Sequence, residues 1–237
     1  MGKNELEHLQ IENGIKSVNY YDGMDPDHIR KVIYNCKSFE RPDIISLVDN
    51  VGYAIEHFEY DCYKHNRKGS AYQQEEACIS RRLLKNLKDK DSDFYSGKVE
   101  SIATLDHFIT NFLEAYNKHY ENISDYRQNV ENKLRTSELK VWFVAEFTGG
   151  LPALFENNDG IKILHPLRFK EIAEKIIKDI ELDGIAFVDQ EQVLAIPRHK
   201  CMQSKFLKKE EVKLLTTNPL GISFVTKIPS VWIIKKT

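Results

Sequence analysis

Nowhere in this chain do apolar residues run for the roughly 20 positions that crossing a bilayer takes. The longest run, around Val141–Phe147, has the length of a strand. The opening, Met1-Gly2-Lys3-Asn4-Glu5-Leu6, has no hydrophobic signal core and lacks the Ser or Thr at position 6 that a myristoylation signal wants. No membrane association is expected, and a cytoplasmic location is. Cysteine is sparse. Cys36, Cys62, Cys78 and Cys201 form no CxxC pair and no short metal-ligand spacing, so they read as reduced structural thiols. Glycine motifs are missing as well: Gly149-Gly150 and Gly184 are isolated, and neither GxGxxG nor GxxxxGK occurs. There is no internal repeat and no low-complexity tract.

What is present is a core. The 237 residues are 41% hydrophobic and include 11 Tyr, 12 Phe and 2 Trp, which must be buried somewhere. That excludes collagen, coiled-coil rods and wholesale disorder, and the length suits one α/β domain over 1–237. Lys+Arg 34 against Asp+Glu 36 gives a net charge of −2, so the whole chain is no generic polyanion binder. The charge is uneven, however. From Arg198 to Thr237 nine basic residues face two acidic ones, which leaves the first 197 residues acidic. This basic end could touch phosphate, or Lys208, Lys209, Lys213, Lys227, Lys235 and Lys236 could simply solvate a helix and edge strands.

Along the chain, residues 1–25 are polar and carry the turn signals Asn13-Gly14 and Asp22-Gly23. Asp25-Pro26-Asp27 opens a helix with Ile29, Val32 and Ile33 as its stripe, ending near Cys36. Arg41-Pro42 forces extended backbone, and two β-rich runs follow, Ile44–Val48 and Val51–Tyr60. Lys64–Ser70 is a polar, basic loop, and residues 73–87 are helical by spacing. A long three/four apolar pattern from about Ser101 to Arg135 predicts one helix, or two broken at Asn122–Asp125, packed on the helix before it. Its His107, Tyr116, His119 and Tyr120 read as packing groups. Leu139–Thr148 has the pattern of a strand buried on both faces. A helix over Leu167–Ile180, two strands around Gln190-Glu191, a short helix at 208–215 and closing strands within 222–234 complete the series. The class is α/β: a mixed central sheet flanked by helices, with a helical insertion at about 70–136.

The chemistry is in the paired runs. If Asp49-Asn50 is a two-residue turn, Val48 pairs with Val51, and each step outward pairs residues whose numbers sum to 99. Asp43 then stands opposite Glu56 on one face, with Cβ atoms about 5 Å apart, and Arg41 opposite Phe58. Two facing carboxylates repel, and a divalent cation would turn that repulsion into coordination. Hard oxygen ligands suit Mg²⁺ or Mn²⁺, and such an ion could activate water against a phosphodiester. Splayed, solvated strand ends are the bland alternative. On the other face, His57, Glu59 and Asp61 recur at period two, a potential ligand row or a solvent-facing one. Glu146, inside an apolar strand, needs a cationic or polar partner.

Pro42-Asp43, twelve residues, then Glu56-His57-Phe58 on a second strand resembles the PD-(D/E)XK, or restriction-endonuclease-like, nuclease pattern. The resemblance covers about twenty residues, plus an α-β-β-α-β order around them. It implies a restriction-endonuclease-like core, metal-dependent hydrolysis of DNA or RNA, and Asp43 and Glu56 as catalytic metal ligands. Phe58 stands where the family has Lys. The resemblance therefore implies a basic group from elsewhere, with Arg41, Lys64, Arg67 and Lys68 nearby, Lys68 being the assigned catalytic candidate. An acidic residue from the preceding segment would join them, from among Glu40, Glu5, Glu7 and Glu12. The competing expectation is a non-catalytic interaction protein with a degenerate site, whose helical segment presents a partner or homodimer surface.

Overall fold

The computed structural model describes residues 26–67, 69–75, 77–79, 81, 103–148, 155–157, 166–188, 193–202 and 206–214. The expectations for 1–25 and for strands within 222–234 lie outside these residues.

Hairpin formation sets the register of the whole sheet. Strand β1 (Lys37–Ser38) lies beside β2 (Ile44–Val48), and β2 turns at Asp49-Asn50 into β3 (Val51–Tyr60). Both turn residues adopt left-handed φ, 50° and 65°, as a two-residue turn matched to strand twist requires, and Asp and Asn tolerate that region. The ladder runs from Val48↔Val51 to Ile44↔Ile55, in the expected register. It stops there. Arg41 does not pair with Phe58, and its carbonyl instead accepts from Asn129 at 3.0 Å.

Two further β-elements, β4 (His65–Asn66) and β5 (Gly69–Ser70), form a small separate hairpin, and helical backbone begins at residue 71. Helices α2 (Leu105–Tyr120) and α3 (Ile123–Lys133) follow, with α1 being Pro26–Tyr34. Thr104 caps α2 by accepting from the His107 amide at 3.0 Å. The break between α2 and α3 falls at 121–122. Strand β6 (Glu138–Phe147) then pairs in parallel with β3, so α2 and α3 form the crossover that parallel pairing needs. Helix α4 (Lys170–Lys178) leads into β8 (Gly184–Val188), parallel to β6, and β9 (Val193–Pro197) returns antiparallel. The sheet is mixed and six-stranded, in the order β1-β2-β3-β6-β8-β9.

Alternation along each strand divides its two faces between two helical layers. Ala54, Phe58, Tyr60, Val141, Phe143, Ile185 and Phe187 meet α2, α3 and α4 in the larger core, with Phe112 and Tyr116 fully buried. Val32 of α1 covers Ile44, Val48, Tyr53, Ile55 and Val144 on the opposite face, while Ile29 and Ile33 reach Ala195. Strand β6 is buried on both sides, which explains its nearly unbroken apolar run. Within the helix predicted for 208–215, the described residues 208–214 form no α-helix. A 3₁₀ turn at Lys209–Glu211 passes into β10 (Val212–Leu214), which pairs antiparallel with β7 (Phe155–Asn157). Eight residues with an alternating Val-Lys-Leu end gain more from a waiting strand edge than from a two-turn helix. Among the described residues no helix is long and apolar enough to cross a membrane.

Candidate functional site

Asp43 and Glu56 meet where the β2–β3 ladder ends. The parity of β3 puts Glu56 on the face covered by α2 and α3, where it is 8% exposed. Its Oε2 accepts from the Asp43 amide at 3.1 Å, while the Asp43 Oδ2 accepts from the His57 amide at 2.8 Å. Glu56 thus binds the main chain of Asp43, and Asp43 the main chain of the residue after Glu56, extending the ladder by side chains where Pro42 has no N–H to give. Amide donors also offset part of the repulsion between the two carboxylates.

The helical layer supplies the remaining partners of Glu56. Tyr126 of α3 donates its hydroxyl to Oε1 at 2.8 Å, and Nδ1 of His119, at the end of α2, stands 2.8 Å from the same oxygen. A carboxylate oxygen accepts, so this imidazole donates from Nδ1. Burial, then the hydrogen bond to Glu56 and the charges of Glu56 and Asp43, push the Tyr126 phenol far up, with Arg41 opposing. The hydroxyl is therefore a fixed donor, and the Arg41 guanidinium lies within charge range of it. His119 was expected to be a packing group, but its contact with Glu56 makes it a member of the site.

Phe58 explains its own identity. It is 3% exposed and lies edge-on to Phe112, Tyr116 and Phe143, with ring centroids 5.8, 6.5 and 6.0 Å away. The His119 ring stacks on it at 5.4 Å and 23°. A lysine in this aromatic cluster would bury an ammonium at high cost. Lys68 lies outside the described residues. Lys64, Arg67 and Glu40 are exposed, and Glu5, Glu7 and Glu12 fall outside the described residues.

The opposite face carries a second ion pair. His57 Nε2 lies 2.9 Å from the Glu146 Oε2, with side chains 11% and 21% exposed. Burial works to lower the His57 pKa, but the hydrogen bond and charge of Glu146, with Glu59 and Asp43, raise it on balance. Glu146 has its expected polar partner, then, across the sheet from Glu56. The period-two row does not converge. Glu59 is exposed, while the carboxylate of Asp61, beyond the strand end, accepts from Tyr63, His65 and Asn111. Among the described residues no group of three His, Cys, Asp or Glu is placed to hold a metal ion. In the described part of the basic end, Arg198 donates to the Ile177 carbonyl and Lys209 pairs with Asp106 at 2.8 Å.

The protein is therefore a three-layer α/β/α domain with a carboxylate pair at the end of an antiparallel ladder, backed by a histidine and a tyrosine from the crossover helices. No family model matches the chain, and neither a curated protein nor a solved structure is significantly similar to it.

Proposed function

We propose that this chain is a divalent-metal-dependent phosphodiester hydrolase acting on DNA or RNA, of PD-(D/E)XK type. The observation that carries the reading is the meeting of Asp43, one residue before β2, with Glu56 on the adjacent antiparallel strand β3. Both offer hard oxygen, and Mg²⁺ characteristically keeps several waters and takes only one or two carboxylates from protein. Asp43 and Glu56 would hold Mg²⁺ or Mn²⁺, and the bound ion would supply Lewis acidity toward phosphate and a more acidic water. The chain's own contribution is orientation. Tyr126 and His119 pin one oxygen of Glu56, and the His57 amide pins Asp43. With Phe58 in the aromatic core, we assign the basic role to Arg41, whose charge reaches Tyr126, or to Lys68 of the following loop. Four free thiols fit a reducing compartment, and we place the protein in the cytoplasm.

A second reading, a degenerate scaffold that binds a partner or a second copy, is favoured by one specific observation. Glu56 already has three hydrogen-bond partners without any ion. Thermal melts with chelator, Mg²⁺ or Mn²⁺ decide between them when combined with a cleavage assay. The hydrolase reading expects metal stabilisation that Asp43→Asn abolishes, and cleavage that both Asp43→Asn and Glu56→Gln abolish. Metal binding without cleavage supports the scaffold. No metal response and no cleavage would end the hydrolase reading.

A further inference from the structure

The hairpin formed by β4 and β5 is too small to be stable by itself, since even a full two-stranded hairpin is marginal in water. Here it is held firmly at its base. Asp61, 2% exposed, spends its carboxylate on the Tyr63 amide at 3.0 Å, His65 Nε2 at 3.0 Å and Asn111 Nδ2 at 2.8 Å. Asn111 reaches out from α2 and also donates to the Tyr63 carbonyl at 2.8 Å. Tyr63 stacks on Tyr72 at 4.4 Å and 12°, bracketing the hairpin. Gln74 ties down the tip by donating to the Asn66 Oδ1 at 3.1 Å and the Gly69 carbonyl at 3.0 Å.

This anchoring serves a tip that buries nothing. Lys64, His65, Asn66 and Arg67 are all exposed, and no ion pair among the described residues engages Lys64 or Arg67. Two exposed cations thus sit on an anchored hairpin in a chain whose first 197 residues are acidic overall. Helix α2 touches the hairpin base through Asn111 and Glu56 through His119, about 12 Å further along at 1.5 Å per residue.

We propose that the two exposed cations of this anchored hairpin, Lys64 and Arg67, are a contact for the phosphate backbone of a nucleic acid strand that leads on to the carboxylate pair. The inference rests on the hydrolase reading for where the strand leads, but the contact itself is tested separately. Full-length Asp43→Asn protein is titrated into fluorescein-labelled single-stranded DNA, duplex DNA and RNA, from about 50 to 200 mM salt, with anisotropy as readout. The same titration is run with Lys64→Glu/Arg67→Glu added, and with Lys31→Glu/Lys178→Glu as an equal charge change at exposed positions on α1 and at the end of α4. The hairpin variant is expected to lose at least about ten-fold in affinity and to flatten the plot of log affinity against log salt by about two. Its melting temperature should stay unchanged, and the control variant should bind nearly as well as its parent. No binding by the Asp43→Asn parent, an unchanged slope, or equal losses in the two variants would overturn the proposal. Wild-type cleavage is scored apart. Hairpin-dependent binding without cleavage upholds the contact and removes the hydrolase, and cleavage with hairpin-independent binding does the reverse.

Discussion

Replacing Tyr126 by Phe deletes one oxygen atom and nothing else, which makes it the sharpest probe of the site. Tyr126 is 2% exposed and donates to a carboxylate that is itself 8% exposed, so water cannot replace the lost donor without rearrangement. Hydrogen bonds to charged groups contribute about 1.5–3 kcal/mol, roughly twice the neutral value. Glu56 keeps His119 and the Asp43 amide, so the carboxylate is weakened rather than stranded, and no cavity of methyl size opens. Tyr126→Phe should therefore cost about 1.5–3 kcal/mol in chelator at neutral pH. For a chain of this size that is a fall in melting temperature of about 3–12 °C. Urea melts give the free energy directly. The same substitution in a Glu56→Gln background should cost only about 0.5–1.5 kcal/mol, because the acceptor is then neutral. The difference is the coupling between hydroxyl and charge. A Tyr126→Phe protein within about 0.5 kcal/mol of wild type, with no coupling to Glu56, would refute the network on which the site depends.

Three other outcomes are open to direct measurement. Asp43→Asn keeps an oxygen for the His57 amide while removing a like charge beside Glu56, so in chelator it should be neutral or slightly stabilising; a loss above about 1.5 kcal/mol would contradict that account. Phe112→Ala, at a fully buried position among Phe58, Tyr60, Tyr116 and Phe187, should cost about 3–5 kcal/mol in a urea melt, and a cost near 1 would mean that the aromatic cluster is loosely packed. Burial pushes the Cys201 thiol up to about 12 and the Cys62 thiol further, so native protein at pH 8 should give Ellman's reagent only Cys36 and Cys78 quickly, with the other two reacting on unfolding.

The half of the site made by strands could be read from the chain, and the half made by helices could not. Asp49-Asn50 between two alternating runs carries the turn, and strand parity then carries Asp43 to Glu56, because side chains alternate with period two. Nothing local carries His119 or Tyr126 to Glu56, since 63 and 70 residues separate them from it. The clue was their spacing of seven, which puts both on one side of a helical run, but Tyr and His at such spacing usually mean packing. Phe58 in the sequence is only a missing lysine. In the fold it is part of a ring cluster that a charge would disrupt. The helix expected at 208–215 failed for a tertiary reason, since the strand edge it joins at Phe155–Asn157 is remote in sequence.

The parallel pairing of β3 with β6 has a consequence for synthesis. The β2–β3 hairpin is complete once Tyr60 has been made, yet the partner strand ends only at Phe147, about 90 residues later. At about 5–20 residues per second, β3 must wait on the order of 5–20 s with its hydrogen-bonding edge open and Phe58 and Tyr60 bare to solvent. Glu56, Glu59 and the bulk of His57 then sit along an otherwise adhesive ribbon as charged and polar interruptions, the usual guard against edge-to-edge association. The acids that define the finished site would thus also protect the nascent chain. Neutralising Glu56 and Glu59 together should lower the soluble yield of newly made protein more than it lowers the stability of protein already folded.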